Sequence, residues 1–273
     1  MHCTVSDAES ILDKEFPVLD KGFARLVDYM GGDARVVQAA RVSYGAGVKT
    51  YREDNNLIDY LMRNKHTSPF EQVVLTFHVK LPIFVARQWI RHRTARVNEV
   101  SGRYSVMKDD CYLPPIKDFA LQSADNKQGR GEPLEKASAE QARSAMGKEQ
   151  KAAYSAYQTL IGEGVARELA RINLPLSLYT EWYWQIDLHN LFHFLELRLD
   201  KHAQKEIRLY AEVLFDLTKK VAPVSCAAFE RHVLKSVVFS ADEAAELKNR
   251  LANRESVLQG KALKRFEEKI ATL

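Results

Sequence analysis

Residues 84–104 read FVARQWIRHRTARVNEVSGRY. Five arginines, Arg87, Arg91, Arg93, Arg96 and Arg103, are interleaved there with Gln88, Trp89, His92, Asn98, Glu99, Ser101 and Tyr104. Fixed positive charge this dense, next to the apolar run VVLTFHV at 73–79, calls for a neutralising anion. Guanidinium forks grip two oxygens at once, so a phosphate or diphosphate suits them. The plainer alternative is a solvated helix end, where arginines favour the helix dipole.

A second set lies near residue 190. At 100° per residue, His189, His193, Glu196 and Asp200 form one polar stripe, while Arg198 falls on the opposite side with Leu191, Phe194 and Leu195. A guanidinium among apolar neighbours needs a partner, and a ligand anion or a pyrimidine carbonyl would supply one. His-x-x-x-His on one helix face is a weak metal motif, since it lacks further ligands, so no metal is expected. Ser101 has no base nearby and no G-x-S-x-G elbow, which makes it a hydroxyl donor to phosphate rather than a nucleophile. Ser105 is weaker still. Cys3, Cys111 and Cys226 are far apart and lack the basic context of a reactive thiolate. No G-x-G-x-x-G or P-loop occurs, so a dinucleotide would place its diphosphate on the arginine segment instead.

These groups need elements to position them. The alternation of Val73, Leu75, Phe77 and Val79 predicts a strand, and Pro82 opens a helix from 83 to 93 with Phe84, Ala86 and Ile90 inward. Arg87, Arg91, Gln88 and His92 would share its polar face. Residues 94–105 read as irregular. Spacing of three and four predicts a helix from Asp20 through Phe23, Leu26, Val27 and Met30, and another from Asp33, acting as cap. That second helix leads to Ser43, Tyr44 and a glycine-bearing loop. A further helix starts at Asp54. Residues 120–150 are polar and read as an exposed insertion entering a helix. LYTEWYWQI, residues 178–186, alternates and predicts a second strand, followed by helices at 188–202 and 204–219. A capping box, Ser240 with Glu243, opens a charged helical tail.

The chain has 273 residues, is 46% hydrophobic and carries a net charge of +4, which suits a globular protein acting on phosphorylated ligands. Dispersed cysteines indicate a reducing compartment, and neither a leader nor a membrane span is evident, so a cytoplasmic location is expected.

Arg91-His92-Arg93, seven residues, then Ser101 resembles the signature of the flavin-dependent thymidylate synthases. Further blocks are similar: Ala40-Arg41-Val42-Ser43, His66 to Glu71, Thr76 to Val79, Ser101 to Tyr104, Ala170-Arg171, Leu174 to Leu176, Leu197-Arg198 and His202-Ala203-Gln204. The resemblance spans about residues 20–225. It implies an α+β fold with a central sheet flanked by helices, placed here as one domain over residues 1–239; the helical tail over 240–273 lies outside the resemblance and reads as peripheral. It implies a homotetramer with active sites shared between subunits. The implied methyltransferase reaction converts dUMP to dTMP, with methylenetetrahydrofolate as carbon donor and NADPH as reductant of bound FAD. FAD would be held by Ser68, Arg91, His92, Arg93, Thr94, Glu99, Asp187, His189 and His193, with Ser43 and His66 as neighbours. Where some members carry Asn and Arg, this chain has Asp187 and His189. Gln88, Arg91, Glu99, Ser101, Gly102, Arg103 and Arg171 would hold dUMP. Arg198 would be the catalytic group, promoting ionisation of the pyrimidine. Two other readings remain at this point: a metal-dependent nucleotide hydrolase using His189, His193 and Glu196, and a single-stranded RNA-binding module using the Arg and Tyr patch.

Overall fold

In residues 74–82 the side chains of Leu75, Phe77, Val79 and Leu81 are buried and those between Leu75 and Leu81 are half-exposed, the period-two pattern of a strand. A computed structural model describes residues 4–42, 51–124 and 127–271, so Ser43, Tyr44 and the glycine loop at 45–47 lie outside the described residues. In chain order the elements are α1 (Ser6–Glu9), β1 (Phe16–Val18), β2 (Gly22–Met30), α2 (Asp33–Arg41), α3 (Tyr51–Arg63), β3 (Val74–Pro82), α4 (Ile83–Trp89), β4 (Arg96–Glu99), β5 (Ala120–Gln122) and β6 (Arg130–Pro133). There follow α5 (Lys136–Gly162), α6 (Arg167–Ala170), β7 (Tyr179–Asp187), α7 (Leu188–Arg198), α8 (Lys205–Val221) and α9 (Pro223–Phe229).

Five strands form one antiparallel sheet in the order β1-β2-β3-β7-β4. Its centre is the pairing of β3 with β7, from Val74 opposite Asp187 to Pro82 opposite Tyr179. The inward residues of β7 are Trp182, Trp184 and Ile186. Helix α8 covers β2 with Ile207, Tyr210, Ala211 and Leu214 buried, and the Tyr210 hydroxyl donates to the Lys80 carbonyl at 2.6 Å. Gly22 permits that approach, since a Cβ there would sit 2.0 Å from the Tyr210 oxygen. The expected α+β class with a central sheet and flanking helices is what the chain adopts.

Trp89 is the keystone of the site's support. Its ring packs on Phe194 at 4.7 Å, Trp184 at 5.1 Å and Trp182 at 5.7 Å. The three indole N–H groups find no acceptor among the described residues. Each such loss costs about 1–3 kcal/mol, so apolar burial and ring packing must outweigh it. This cluster clamps the end of α4 and the middle of α7 to one face of the sheet.

Several expectations need correction. Residues 22–30 are strand β2, not a helix capped by Asp20. Gly22, Ala24 and Leu26 are buried in alternation, and a bulge between Leu26 and Asp28 then shifts the phase so that Tyr29 is buried next. The bulge turns alternation into a spacing that imitates a helix. Asp33 lies inside α2 rather than capping it. Its carboxylate accepts from the Val224 and Ser225 amides at 2.8 and 2.9 Å, and from the Ser225 hydroxyl, so it serves the first turn of α9. Burial raises the Asp33 pKa, against these bonds. Helix α3 begins at Tyr51, ahead of Asp54. Helix α4 stops at Trp89, so Ile90 is 50% exposed instead of inward. Helix α7 ends at Arg198, four residues early. The stretch 94–105 contains an edge strand, β4, paired to β7. Strands β5 and β6 pair as a separate two-stranded antiparallel sheet before the long α5.

The chain divides into compact units Met1–Ala228 and Phe229–Leu273. The second contains α10 (Ala241–Leu251) and α11 (Gly260–Ile270), and α10 carries the expected capping box of Ser240 and Glu243. Glu246 is buried there and accepts from Arg250, Ser256 and the amides of Val257 and Leu258. Among the described residues no helix is long and apolar enough to cross a membrane.

Candidate active site

Because α4 ends at Trp89, residues 91–94 form a short connection between α4 and β4. Arg91, His92, Arg93 and Thr94 line a cavity of about 310 Å³ together with Ile186, Asn190, His193, Leu197 and Arg198. Six residues anticipated at the site, Arg91, His92, Arg93, Thr94, His193 and Arg198, therefore share one wall system despite a separation of about a hundred positions.

Arg198 is the last residue of α7, where a cation favours the helix dipole. Its Nε donates to His92 Nε2 at 3.0 Å and its Nη2 to the Gln88 carbonyl at 3.3 Å. Burial, then the charges of Arg198 and His193, push the His92 pKa down to about 4. His92 is therefore neutral at neutral pH, accepts at Nε2 and carries its proton on Nδ1. Both partners of Arg198 are neutral, and among the described residues it forms no ion pair. Burial lowers its own pKa, but a guanidinium stays charged. The side chain is thus fixed in direction while its charge is left uncompensated. Among the described residues Arg91 and Arg93 have no side-chain hydrogen bond or ion pair, and both are exposed.

The remaining anticipated residues lie elsewhere. Ser101, Gly102 and Arg103 form a turn beyond β4, with Ser101 Oγ accepting from the Arg103 amide at 3.3 Å. Arg171 packs beside it: a Cβ on Gly102 would lie 3.1 Å from Arg171 Cδ. Arg103 pairs with Glu168 at 3.3 Å. Glu99 accepts from the Thr180 hydroxyl at 2.5 Å, and the Gln88 side chain bonds to Gln204. Ser68 and His66 lie exposed in the turn after α3. His189, in the first turn of α7, does not line the cavity. Asp187 caps α7, accepting from the Asn190 amide at 2.9 Å and from its side-chain nitrogen at 2.7 Å. Asn190 was not anticipated. Its signal is the acid three residues before it at a helix start, a capping arrangement that also aims the amide side chain. His193 Nδ1 lies 3.9 Å from Glu196, and among the described residues no three His, Cys, Asp or Glu groups converge as a metal site needs.

The fold and cavity define the class: a mixed α/β chain with a central antiparallel sheet and a cavity lined by three arginines, a charge pattern suited to an anion. Residues 25–224 match the family model described as thymidylate synthase complementing protein, and residues 237–273 the thymidylate synthase ThyX C-terminal domain. A flavin-dependent thymidylate synthase of Treponema denticola is 65% identical over 95% of this chain and 98% of its own length. One from Treponema pallidum is 62% identical over 98% of this chain and 88% of its own. The solved structure of the UMP/dUMP methylase PolB from Streptomyces cacaoi, bound with 5-Br dUMP, is similar with a TM-score of 0.72 at 32% identity, covering 79% of this chain and 97% of that one. The chain belongs to the flavin-dependent thymidylate synthase family. None of these comparisons supports the hydrolase or RNA-binding readings.

Proposed function

We propose that this protein methylates dUMP to dTMP, using methylenetetrahydrofolate as one-carbon donor, NADPH as reductant and FAD as bound cofactor. The observation that carries the reading is Arg198, held by two neutral acceptors beside Arg91, His92, Arg93 and Thr94. An uncompensated, fixed guanidinium stabilises negative charge developing on a pyrimidine as its imide proton leaves, which makes the ring carbon nucleophilic. Arg198 is the catalytic residue in this scheme.

The residues fit the cofactor. Arg91 and Arg93 offer charge without partners, and His92 offers an Nδ1 proton, a donor set suited to a diphosphate. Once reduced by NADPH, FAD held there would supply the hydride equivalent that completes the methyl group. The protein's part is placement, exclusion of water and electrostatics. A cavity of about 310 Å³ is at the small end of ligand pockets, which run from about 300 to 1,000 Å³. One chain therefore encloses part of a dinucleotide, in keeping with a homotetramer whose sites are shared. In that assembly Ser68, Glu99, Asp187 and His189 would complete the cofactor site. Ser101, Gly102, Arg103 and Arg171, with Gln88, Arg91 and Glu99, would hold dUMP. Dispersed cysteines, with Cys111 and Cys226 buried, suit the reducing cytoplasm.

The test is the visible spectrum of the purified protein. It should show oxidised flavin, bleach with NADPH and recover with dUMP and methylenetetrahydrofolate as dTMP forms. Colourless protein that makes no dTMP would overturn the reading. Sedimentation as a monomer would overturn the shared-site assembly alone.

A further inference from the structure

Gln88 is assigned to the nucleotide, yet its side chain is also bound to a polar chain, anchored on buried Glu206, that the reaction as described does not use. Its side-chain nitrogen donates to Gln204 Oε1. Gln204 Nε2 donates to Glu206 Oε2 at 2.9 Å. The other Glu206 oxygen accepts from Arg130 at 2.5 Å and from the Tyr112 hydroxyl at 3.2 Å. Glu206 is 1% exposed, with cation and phenol fixing it in place.

The direction of this chain follows from chemistry. A carboxylate has lone pairs and no proton, so Gln204 must turn its NH₂ toward Glu206. That leaves the Gln204 carbonyl oxygen facing Gln88, which must then offer its own NH₂. Reversing both amides would set the Gln204 carbonyl against the Glu206 carboxylate, two acceptors face to face. The free end of Gln88 is consequently its carbonyl oxygen. Arg130 comes from β6, so the polar segment at 120–133 helps anchor the chain.

We infer that Glu206 and Gln204 set the amide polarity of Gln88, so that Gln88 recognises a hydrogen-bond donor on the nucleotide, and that Gln204 is a specificity-positioning residue. The inference rests on the assignment of Gln88 to dUMP. Two donors on the nucleotide have the required chemistry: the imide N–H of the pyrimidine and the 3′-hydroxyl of the ribose.

The test is calorimetric binding of dUMP, dCMP and 2′,3′-dideoxy-UMP to the purified flavoprotein. In dCMP the imide N–H becomes an acceptor; the dideoxy analogue lacks the hydroxyl. Wild type should bind one analogue at least roughly tenfold more weakly than dUMP, the worth of one hydrogen bond. Which analogue it is identifies the donor. Gln204→Met should cut that preference by roughly tenfold, and so should Glu206→Gln, which preserves shape but lets the hub donate. The double variant Gln88→Met with Gln204→Met should match Gln88→Met alone, because Gln204 acts through Gln88. Equal loss of all three ligands in Gln204→Met and in Glu206→Gln would mark a merely structural role and overturn the inference, as would an unchanged preference. Equal binding of the three by wild type overturns it too. Wild type that fails to bind dUMP instead removes the functional reading beneath it.

Discussion

Arg198 and Arg103 belong to the same proposed site and are held in opposite ways. Arg198 is half-buried, bonded to a neutral imidazole and a backbone carbonyl, and keeps its charge uncompensated. Arg103 has a side chain 57% exposed and paired with Glu168, itself 55% exposed. An exposed pair of this kind is worth about 0–1 kcal/mol and yields readily to a competing phosphate. The contrast separates two tasks. A group that must stabilise charge during reaction is fixed beforehand in low dielectric. A group that grips a ligand phosphate can sit in water and exchange partners.

The largest expected effect comes from removing what fixes Arg198. Trp89→Ala should cost about 3–5 kcal/mol of stability, read from the denaturant midpoint, because it empties the centre of the aromatic cluster. A loss below about 1 kcal/mol would show that the cluster does not support that wall. Next is Arg198→Ala, which should lower dTMP formation on the order of 10²–10³-fold while bound flavin remains. Arg198→Lys should not rescue it, since an ammonium lacks the planar fork. Near-normal turnover in either variant would remove Arg198 from the chemistry.

Arg103→Ala should weaken dUMP binding up to roughly tenfold, with kcat little changed. Glu168→Ala should do the reverse, strengthening dUMP by no more than about fivefold at low salt. If Glu168→Ala weakens binding, the carboxylate is a partner of the ligand and the proposed contrast fails.

The last effect concerns pH. His92 titrates in the folded protein at about 4, below the ordinary histidine value of about 6.5. Between those values the unfolded chain binds the proton and the folded chain does not. The stability linked to neutral His92 is therefore present above about pH 6.5 and is lost as pH falls toward 4. His92→Gln, which still offers an acceptor to Arg198 but does not titrate, should flatten the fall in denaturant midpoint between pH 6.5 and 4. An unchanged slope would show that His92 is not the group responsible.

What could be read in advance depended on how local the cause was. Strand β3 and the strand at 179–187 were legible because a half-buried strand writes its period of two into the sequence. Helix α8 and the capping box at Ser240 were legible for the same kind of reason. Strand β2 was not, because its bulge breaks that period and leaves Phe23, Leu26, Val27 and Met30 at helical spacing. Strand β4 was not either: its four residues are all exposed, and only pairing to β7 makes it a strand. Asp33 carries the residue type of a cap, but the helix turn it serves lies about 190 positions away.

The site divides along the same line. The sequence by itself determined the chemical inventory: an arginine-rich segment between a core strand and a glycine-bearing turn, an arginine on the apolar side of a later helix, and the motif order of one family. Residue type and local spacing carry that information. The tertiary structure decided which of these charges stay uncompensated. His92 and Arg198 are 106 positions apart, and burial of both is what keeps the imidazole neutral and the guanidinium aimed. Desolvation and partner choice are properties of the packed state, so no local pattern encodes them.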